Sequence, residues 1–285
     1  MRYEAPQNIV DAVALLAAEK GDARVLAGGT DLLVQLRAGF AEPDLIVDIK
    51  RIDAMHSITE ENGGYRIGAA VPGAVLGEHE GVVGAWPGVV EAVELIGSTQ
   101  VQGRATMVGN LCNASPAADS VPAMVAADAT VRVFGPGGER EVPVDEICTA
   151  PGKTSLAKDE LIESVYLPAR PDNSGDCYLR FIPRTEMDIA VVGAAVSLTL
   201  DSEGTCTHAR VSLGAVAATV LLVDDAAKAL IGTKLDDAAL EALAVAASAA
   251  CKPIDDKRGT IEFRVKVAGV LARRAALKAL ERAKG

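Results

Sequence analysis

The chain has 285 residues, 49% of them hydrophobic and 24% charged, a composition typical of a globular protein with about two domains of roughly 100–200 residues. Its net charge of -11 and aromatic content of 3% argue against a nucleic acid or an anionic membrane as partner, since such partners need clustered basic or stacking side chains. The N-terminus lacks the apolar segment of a secretory signal, and no apolar run is long enough to span a membrane. We therefore expect a cytoplasmic protein without a membrane span.

The five cysteines do not form a recognisable ligand or disulfide pattern. They leave an odd one over and contain no CxxC, which argues against a disulfide framework and against a zinc or iron–sulfur site. Cys206 and His208 are a possible ligand pair, but two isolated groups near a turn favour an incidental pairing.

The first fifty residues predict a helix–strand–helix–strand unit. A helix is expected over 7–19, a short buried strand over Val25–Ala27, a second helix over Leu32–Ala38 and a second strand over Asp44–Ile49. The turn Gly28-Gly29-Thr30-Asp31 joins the first strand to the second helix. Two glycines there allow positive φ and close approach of a ligand to backbone N–H groups, as in a phosphate site. Taken alone, the same turn fits an ordinary strand-to-helix connection better.

A longer polar segment follows. A strand over Tyr65–Ala70 and a helix over Val83–Ile96 precede the Gly- and Asn-rich loop Gly97–Asn113, which is either functional or a surface Ω-loop. Ser115 followed by Pro116 predicts the start of the next helix.

The middle of the chain reads as strands and loops. We expect a hairpin of Thr130–Phe134 and Glu139–Val142. A glycine-containing loop follows over Ala150–Thr154, and its Lys153 is more simply explained as solvated than as an anion ligand. A strand over Glu160–Leu167 and a linker over Ala169–Asp176 come next.

The last hundred residues predict three strands and then three helices, which indicates an antiparallel sheet with helices packed on one face. The strands are Tyr178–Ile182, Ala190–Leu200 and Ala209–Val216, and the helices are Asp224–Ile231, Asp236–Ala250 and Thr260–Ala283. The basic residues of the last helix are expected on a solvated or partner-facing side, Arg264 among them.

Several kinds of catalytic motif are missing. No histidine stands beside a plausible nucleophile, and GxSxG, GxGxxG after a strand and GxxxxGK[ST] are all absent. Two uncharged, glycine-rich loops remain, and together they favour a diphosphate-containing cofactor held by backbone amides.

The motifs VLAGGTDLL, IGSTQVQGRATMVGNLCNASPAADSVPAM, APGKTSLAKDELIESVYLP, RTEMDIAVVGAAVSL and RGTIEFRVKVAGVLARRA occur in this order along the chain. In sequence and order they resemble the FAD-binding medium subunit of the molybdenum hydroxylases, the family of xanthine and carbon monoxide dehydrogenases. The resemblance implies an α+β fold: an FAD-binding domain of the vanillyl-alcohol-oxidase type over 1–174, with subdomains of about 1–55 and 56–174. A C-terminal domain over 175–285, with a three-stranded antiparallel sheet and helices, would follow.

The same resemblance implies the site residues and the function. FAD would be bound non-covalently and pass electrons from the [2Fe–2S] clusters of a small subunit to NAD+ or another acceptor. A large subunit would hold the molybdenum cofactor, and the complex would be a dimer of heterotrimers. No side chain of this chain would be a catalytic acid, base or metal ligand. The implied cofactor-binding residues are Leu26, Ala27, Gly28, Gly29, Thr30, Asp31, Leu32, Leu33, Ile96, Thr106, Met107, Val108, Gly109, Asn110, Asp119, Ile162 and Arg180.

Two positions depart from the family pattern. Val108 replaces the first glycine of a Gly-Gly-Asn motif, and Arg180 stands where xanthine dehydrogenases have a lysine close to the flavin. Two other classes of function stay open: a self-sufficient flavin oxidase, and a non-catalytic assembly subunit that has lost FAD.

Overall fold

The computed structural model describes all 285 residues. The chain begins with a small parallel sheet of order β1-β3-β2. Its elements are β1 (Arg2–Glu4), α1 (Ile9–Ala18), β2 (Ala23–Leu26), α2 (Leu32–Arg37) and β3 (Leu45–Asp48). Helix α1, predicted over 7–19, buries Ala12, Val13 and Leu16 on one face. Strand β1 was not predicted. The strand expected over 25–27 is present in part as β2, but its expected burial is wrong except at Leu26, because Val25 faces a cavity described below.

A five-stranded antiparallel sheet of order β4-β5-β10-β6-β7 follows, with short helices between β5 and β6. The elements are β4 (Ile58–Glu61), β5 (Gly64–Gly68), α3 (Gly73–Gly77), α4 (Glu80–Ala85), α5 (Pro87–Glu94), α6 (Thr99–Gln102), α7 (Met107–Cys112), α8 (Ser120–Ala126), β6 (Thr130–Gly135), β7 (Gly138–Pro143), β8 (Cys148–Ala150), β9 (Lys153–Thr154) and β10 (Leu161–Leu167). The predicted hairpin is confirmed as β6 and β7.

Three predictions in this region are wrong. The helix expected over 83–96 is broken at Trp86, because Pro87 cannot continue a preceding helix. The loop expected over 97–113 contains α6 and α7. Ser115 and Pro116 form a turn, and the next helix begins only at Ser120.

The third sheet is antiparallel, of order β11-β12-β13-β14. The elements are β11 (Ser174–Phe181), β12 (Val192–Leu200), β13 (Cys206–Gly214), β14 (Leu221–Leu222), α9 (Asp224–Lys228), α10 (Asp237–Ala250) and α11 (Ile261–Ala283). The three predicted strands and three predicted helices are confirmed, and β14 adds a two-residue edge. A continuous alanine- and leucine-rich face of α11 packs on this sheet and forms a second core.

Two arginines near the C-terminal sheet make specific tertiary contacts at positions that the sequence assigned to solvent or to a linker. Arg264 is buried, donating to the carbonyls of Val191 (2.7 Å) and Ala215 (3.3 Å) and pairing with Asp256 at 2.7 Å, so its expected solvated position is wrong. The linker expected over 169–176 has no helix or strand as far as residue 173 and ends where β11 begins, and within it the Arg170 guanidinium lies over the Trp86 ring and pairs with a buried carboxylate at residue 176.

Candidate functional site

A cavity of about 840 Å³ lies between the first sheet and the segment that carries α6 and α7. This volume falls within the range of small-molecule and cofactor sites, about 300–1,000 Å³. Twelve of the seventeen predicted cofactor-binding residues line it: Ala27, Gly28, Gly29, Thr30, Asp31, Leu32, Ile96, Thr106, Val108, Gly109, Asn110 and Ile162. The fold therefore brings together the two glycine-containing segments, 78 residues apart at Thr30 and Val108, around one space.

The turn between β2 and α2 presents unpaired donors. None of the backbone N–H groups of residues 28–32 has an acceptor in the protein, whereas the Leu33 N–H donates to the Gly29 carbonyl at 2.9 Å. The first N–H groups of a helix always lack intrahelical acceptors, and here the turn before the helix adds more of them. A run of such donors beside a cavity suits an anion with several oxygens.

The two glycines of this turn have different roles. Gly29 has φ +77°, so it supplies the left-handed backbone that glycine favours. Gly28 does not have a positive φ. A Cβ placed on it would lie 1.8 Å from the Arg104 carbonyl oxygen and 3.1 Å from the Ala105 nitrogen. Gly28 is therefore required because the backbone of the second segment packs directly against it.

The second segment ends in a capped helix start. The Thr106 Oγ1 accepts from the Gly109 N–H at 2.9 Å, and Thr106 itself is buried. The Asn110 Oδ1 accepts from the Ser120 hydroxyl at 2.7 Å and so joins α7 to α8. Val108 is 6% exposed and packs in the core beside the cavity.

The polar wall of the cavity was largely missed by the sequence reasoning. The Gln35 amide donates to Asn113 at 3.0 Å across the cavity edge, and Arg24 pairs with Asp22 at 3.0 Å. Lys158, which donates to the Glu19 carbonyl at 2.7 Å, lines the cavity, whereas Lys153 does not. No local pattern marks these residues, because their position depends on chain segments that are distant in sequence.

Five predicted site residues do not line the cavity: Leu26, Leu33, Met107, Asp119 and Arg180. Leu26 lies under Gly29, Leu33 is 54% exposed, and Met107 is buried in the core.

Asp119 and Arg180 form a buried ion pair at 2.6 Å, and the Tyr178 hydroxyl donates to Asp119 at 2.8 Å. Burial raises the pKa of Asp119 to about 6, although Arg180 and Tyr178 both oppose the shift. The Arg180 Nε has no hydrogen-bond partner. Asp119 directly precedes α8, and the first residue of that helix, Ser120, donates to the cavity-lining Asn110.

The cavity has the donors that a dinucleotide cofactor needs. The acceptor-less amides of residues 28–32 match a diphosphate, and the volume admits a ligand far larger than phosphate alone. The apolar side chains of Ile96, Val108 and Ile162 supply a wall for an aromatic ring. The residues present therefore fit an FAD molecule. The chain has no cluster of three or more potential metal ligands, and no helix with the length and hydropathy of a membrane span.

Two family models cover most of the chain. The FAD-binding domain of molybdopterin dehydrogenases matches residues 1–170, and the C-terminal domain of carbon monoxide dehydrogenase flavoproteins matches residues 178–279. The carbon monoxide dehydrogenase medium chain of Afipia carboxidovorans is 35% identical over 282 residues, 99% of this chain and 97% of the relative. The xanthine dehydrogenase FAD-binding subunit of Escherichia coli O157:H7 is 30% identical over 285 residues, with coverage of 99% and 97%.

A solved structure agrees with these matches. A chain of carbon monoxide dehydrogenase from Hydrogenophaga pseudoflava superposes with a TM-score of 0.95 at 34% identity, covering 99% of this chain and 98% of that chain. Fold, cavity and sequence thus define an FAD-binding subunit of an oxidoreductase. The chain belongs to the FAD-binding medium subunits of the molybdenum hydroxylases, the family that includes carbon monoxide and xanthine dehydrogenases, and the resemblance noted in the sequence is confirmed.

Proposed function

We propose that this chain holds the FAD through which electrons pass from the [2Fe–2S] clusters of a small partner subunit to NAD+ or another soluble acceptor. The molybdenum cofactor of a large partner subunit would oxidise the substrate. The observation that carries this proposal is the run of acceptor-less amides at residues 28–32, which opens on the cavity of a chain from this family. Bound FAD supplies the redox chemistry, and the protein supplies binding and orientation.

The cavity supports an assignment of its parts. The diphosphate would bind the N–H groups of Gly28 to Leu32, with the Thr30 hydroxyl beside them. Thr106, Gly109 and Asn110 would face the same end of the cofactor from the second segment. The apolar side chains of Ile96 and Ile162 would pack near the flavin ring, because no charged group is needed at that surface. Every contact in this set is non-covalent.

The buried pair of Asp119 and Arg180 does not line the cavity and would affect FAD binding indirectly. It would hold the start of α8, and Ser120 there fixes the Asn110 side chain at 2.7 Å. In this assignment the Arg180 charge is neutralised by Asp119 and acts through position rather than by direct contact.

We further propose that the chain divides near residue 174, works in the cytoplasm, and assembles as one member of a dimer of heterotrimers. The sheets support the division, since those formed by β1–β10 lie within residues 1–170 and the sheet formed by β11–β14 begins at Ser174. The heterotrimer rests on the relatives, whose names describe medium chains and FAD-binding subunits.

The electron acceptor is tested on the full chain after reconstitution with FAD under anaerobic conditions. Loss of the oxidised-flavin absorbance after addition of NADH, at least as fast as the complete enzyme turns over, would support NAD+ as the acceptor. This reduction is the reverse of the proposed transfer from reduced FAD to NAD+. Dithionite serves as the positive control for a reducible flavin. Reduction by dithionite but not by NADH would exclude NAD+ and leave another acceptor.

The two rival functions give different results in the same preparation. An assembly subunit without cofactor would take up no FAD, which would contradict the proposal directly. A self-sufficient oxidase would consume oxygen with an organic substrate in the absence of partner chains. No histidine lines the cavity, and of its three carboxylates Asp22 is paired with Arg24 and Glu160 with Arg140, which leaves Asp31 as the one unpaired acid for such a reaction.

A further inference from the structure

A three-residue polar network lies behind the turn at residues 27–29. The Lys50 ammonium donates to the Ala27 carbonyl at 3.1 Å and to the Asp48 Oδ1 at 2.8 Å. The other Asp48 oxygen accepts from the Tyr3 hydroxyl at 2.5 Å. The network thus connects strands β1 and β3 to the residue that follows β2. Neither Lys50, Asp48 nor Tyr3 lines the cavity.

Lys50 is the only protein donor to the Ala27 carbonyl. That carbonyl belongs to the same peptide unit as the Gly28 N–H, and in a planar trans peptide the two groups point in opposite directions. The Gly28 N–H has no acceptor in the protein, and Gly28 lines the cavity. A cation held on the carbonyl end of this unit therefore fixes its plane and strengthens the N–H at the other end as a donor.

The sequence of the turn explains why the Ala27–Gly28 peptide unit needs a partner that fixes its orientation. Without a Cβ on either residue, the backbone at Gly28 and Gly29 has more than one accessible conformation, and peptide rotation would move an N–H away from the cavity. A hydrogen bond to a charged donor is stronger than a neutral one and limits that rotation.

We propose that Lys50 is a positioning residue for the FAD diphosphate, acting through the Ala27–Gly28 peptide unit, with Asp48 and Tyr3 holding its ammonium in place. The charges in the network suit this role. Burial alone would raise the pKa of Asp48, but hydrogen bonds from Lys50 and Tyr3 bring it below its ordinary value. Asp48 therefore stays an anion that keeps the Lys50 ammonium at this place. The inference rests on the proposed placing of the diphosphate at residues 28–32.

The test compares FAD binding by the full-length Lys50→Met, Lys50→Arg and Lys228→Met variants. Methionine keeps the unbranched chain of lysine, one atom shorter, and removes its charge and donors, while the exposed Lys228 controls for the loss of one positive charge elsewhere. FAD affinity is measured by fluorescence titration, the bound diphosphate by its ³¹P resonances, and the apoprotein by thermal unfolding.

We expect Lys50→Met to weaken FAD binding roughly 10-fold, the effect of losing a charge-assisted hydrogen bond, and to shift the bound ³¹P resonances. Lys50→Arg should recover most of the affinity, and Lys228→Met should resemble the wild type. The positioning role would be overturned if Lys50→Met lost affinity for FAD without a shift of the ³¹P resonances. It would also be overturned if unfolding of the variant apoprotein accounted for the whole loss of affinity.

Thr30→Val separates failure of this inference from failure of the proposed site. If Thr30→Val shifts the ³¹P resonances and Lys50→Met does not, only the role of Lys50 is wrong. If neither variant changes the ³¹P spectrum or the affinity, the diphosphate does not lie at residues 28–32, and the proposed site is wrong as well.

Discussion

Substitution of Gly28 by alanine tests the contact between the two segments that enclose the cavity. The new Cβ would lie 1.8 Å from the Arg104 carbonyl oxygen and 2.6 Å from its carbon, both of them backbone atoms that cannot rotate away. The segments must therefore separate by more than an ångström. Overpacking of this kind costs roughly 1–3 kcal/mol, with the upper end expected here because the obstacle is main chain.

Two further glycines provide comparisons. Gly29→Ala should cost about 1–2 kcal/mol through its φ of +77°, while its nearest obstacle is the flexible Leu26 side chain. Gly84 lies in α4 with nothing within 4 Å of an added Cβ, so Gly84→Ala should be neutral or stabilise by up to about 1 kcal/mol.

The assay is thermal unfolding of the apoprotein, followed by titration with FAD. A loss of about 2–3 kcal/mol corresponds to roughly 3–5 °C in Tm for a chain of 285 residues, because the entropy of unfolding is about 2.1 cal/mol/K per residue. Gly28→Ala should also weaken FAD binding by at least about tenfold, since it displaces the free amides from the cavity. A Gly28→Ala protein with the Tm and FAD affinity of Gly84→Ala would refute the close approach of the two segments.

Two other predictions concern buried charges. Arg264→Met should lower the free energy of unfolding by about 1–3 kcal/mol in urea titrations, because two buried carbonyls lose their donor; an unchanged free energy of unfolding would contradict the buried position of the guanidinium. Asp119 has a pKa raised to about 6, so its contribution to stability is fully present below pH 3.8 and is lost as the pH rises through 6. Urea unfolding of wild type and Asp119→Asn from pH 4 to 7 should therefore show the wild type losing stability relative to the variant over that interval, and parallel profiles would contradict the shift.

The sequence predicted the elements that depend on local signals. A Gly-Gly pair between an apolar strand and an apolar helix start marks the turn at 28–29, and the glycine-rich segment Gly135-Pro136-Gly137-Gly138 marks the hairpin of β6 and β7. The three C-terminal strands and the long helix α11 were likewise predicted from periodicity, because each buries one regular face.

The features that were missed depend on distant contacts. The reason for glycine at position 28 is the Arg104 backbone, 76 residues away, which no local pattern contains. The sequence assigns Arg264 to solvent because the helical pattern counts only hydrophobic residues as buried. An arginine that is buried through hydrogen bonds to two carbonyls cannot be recognised from that pattern. Lys50 was overlooked for a similar reason, since a lysine after an apolar strand resembles an ordinary surface residue.

The five unpaired amides of residues 28–32 have a consequence for how the subunit matures. Without FAD they must be solvated by water, so the apoprotein loses the bonds that fix this turn. Because a ligand that binds only the folded state adds RT ln(1 + [L]/Kd), free FAD at 100 times its Kd would add about 2.7 kcal/mol. The chain would then unfold less readily with FAD than without it, so the supply of flavin would affect how much of it is folded.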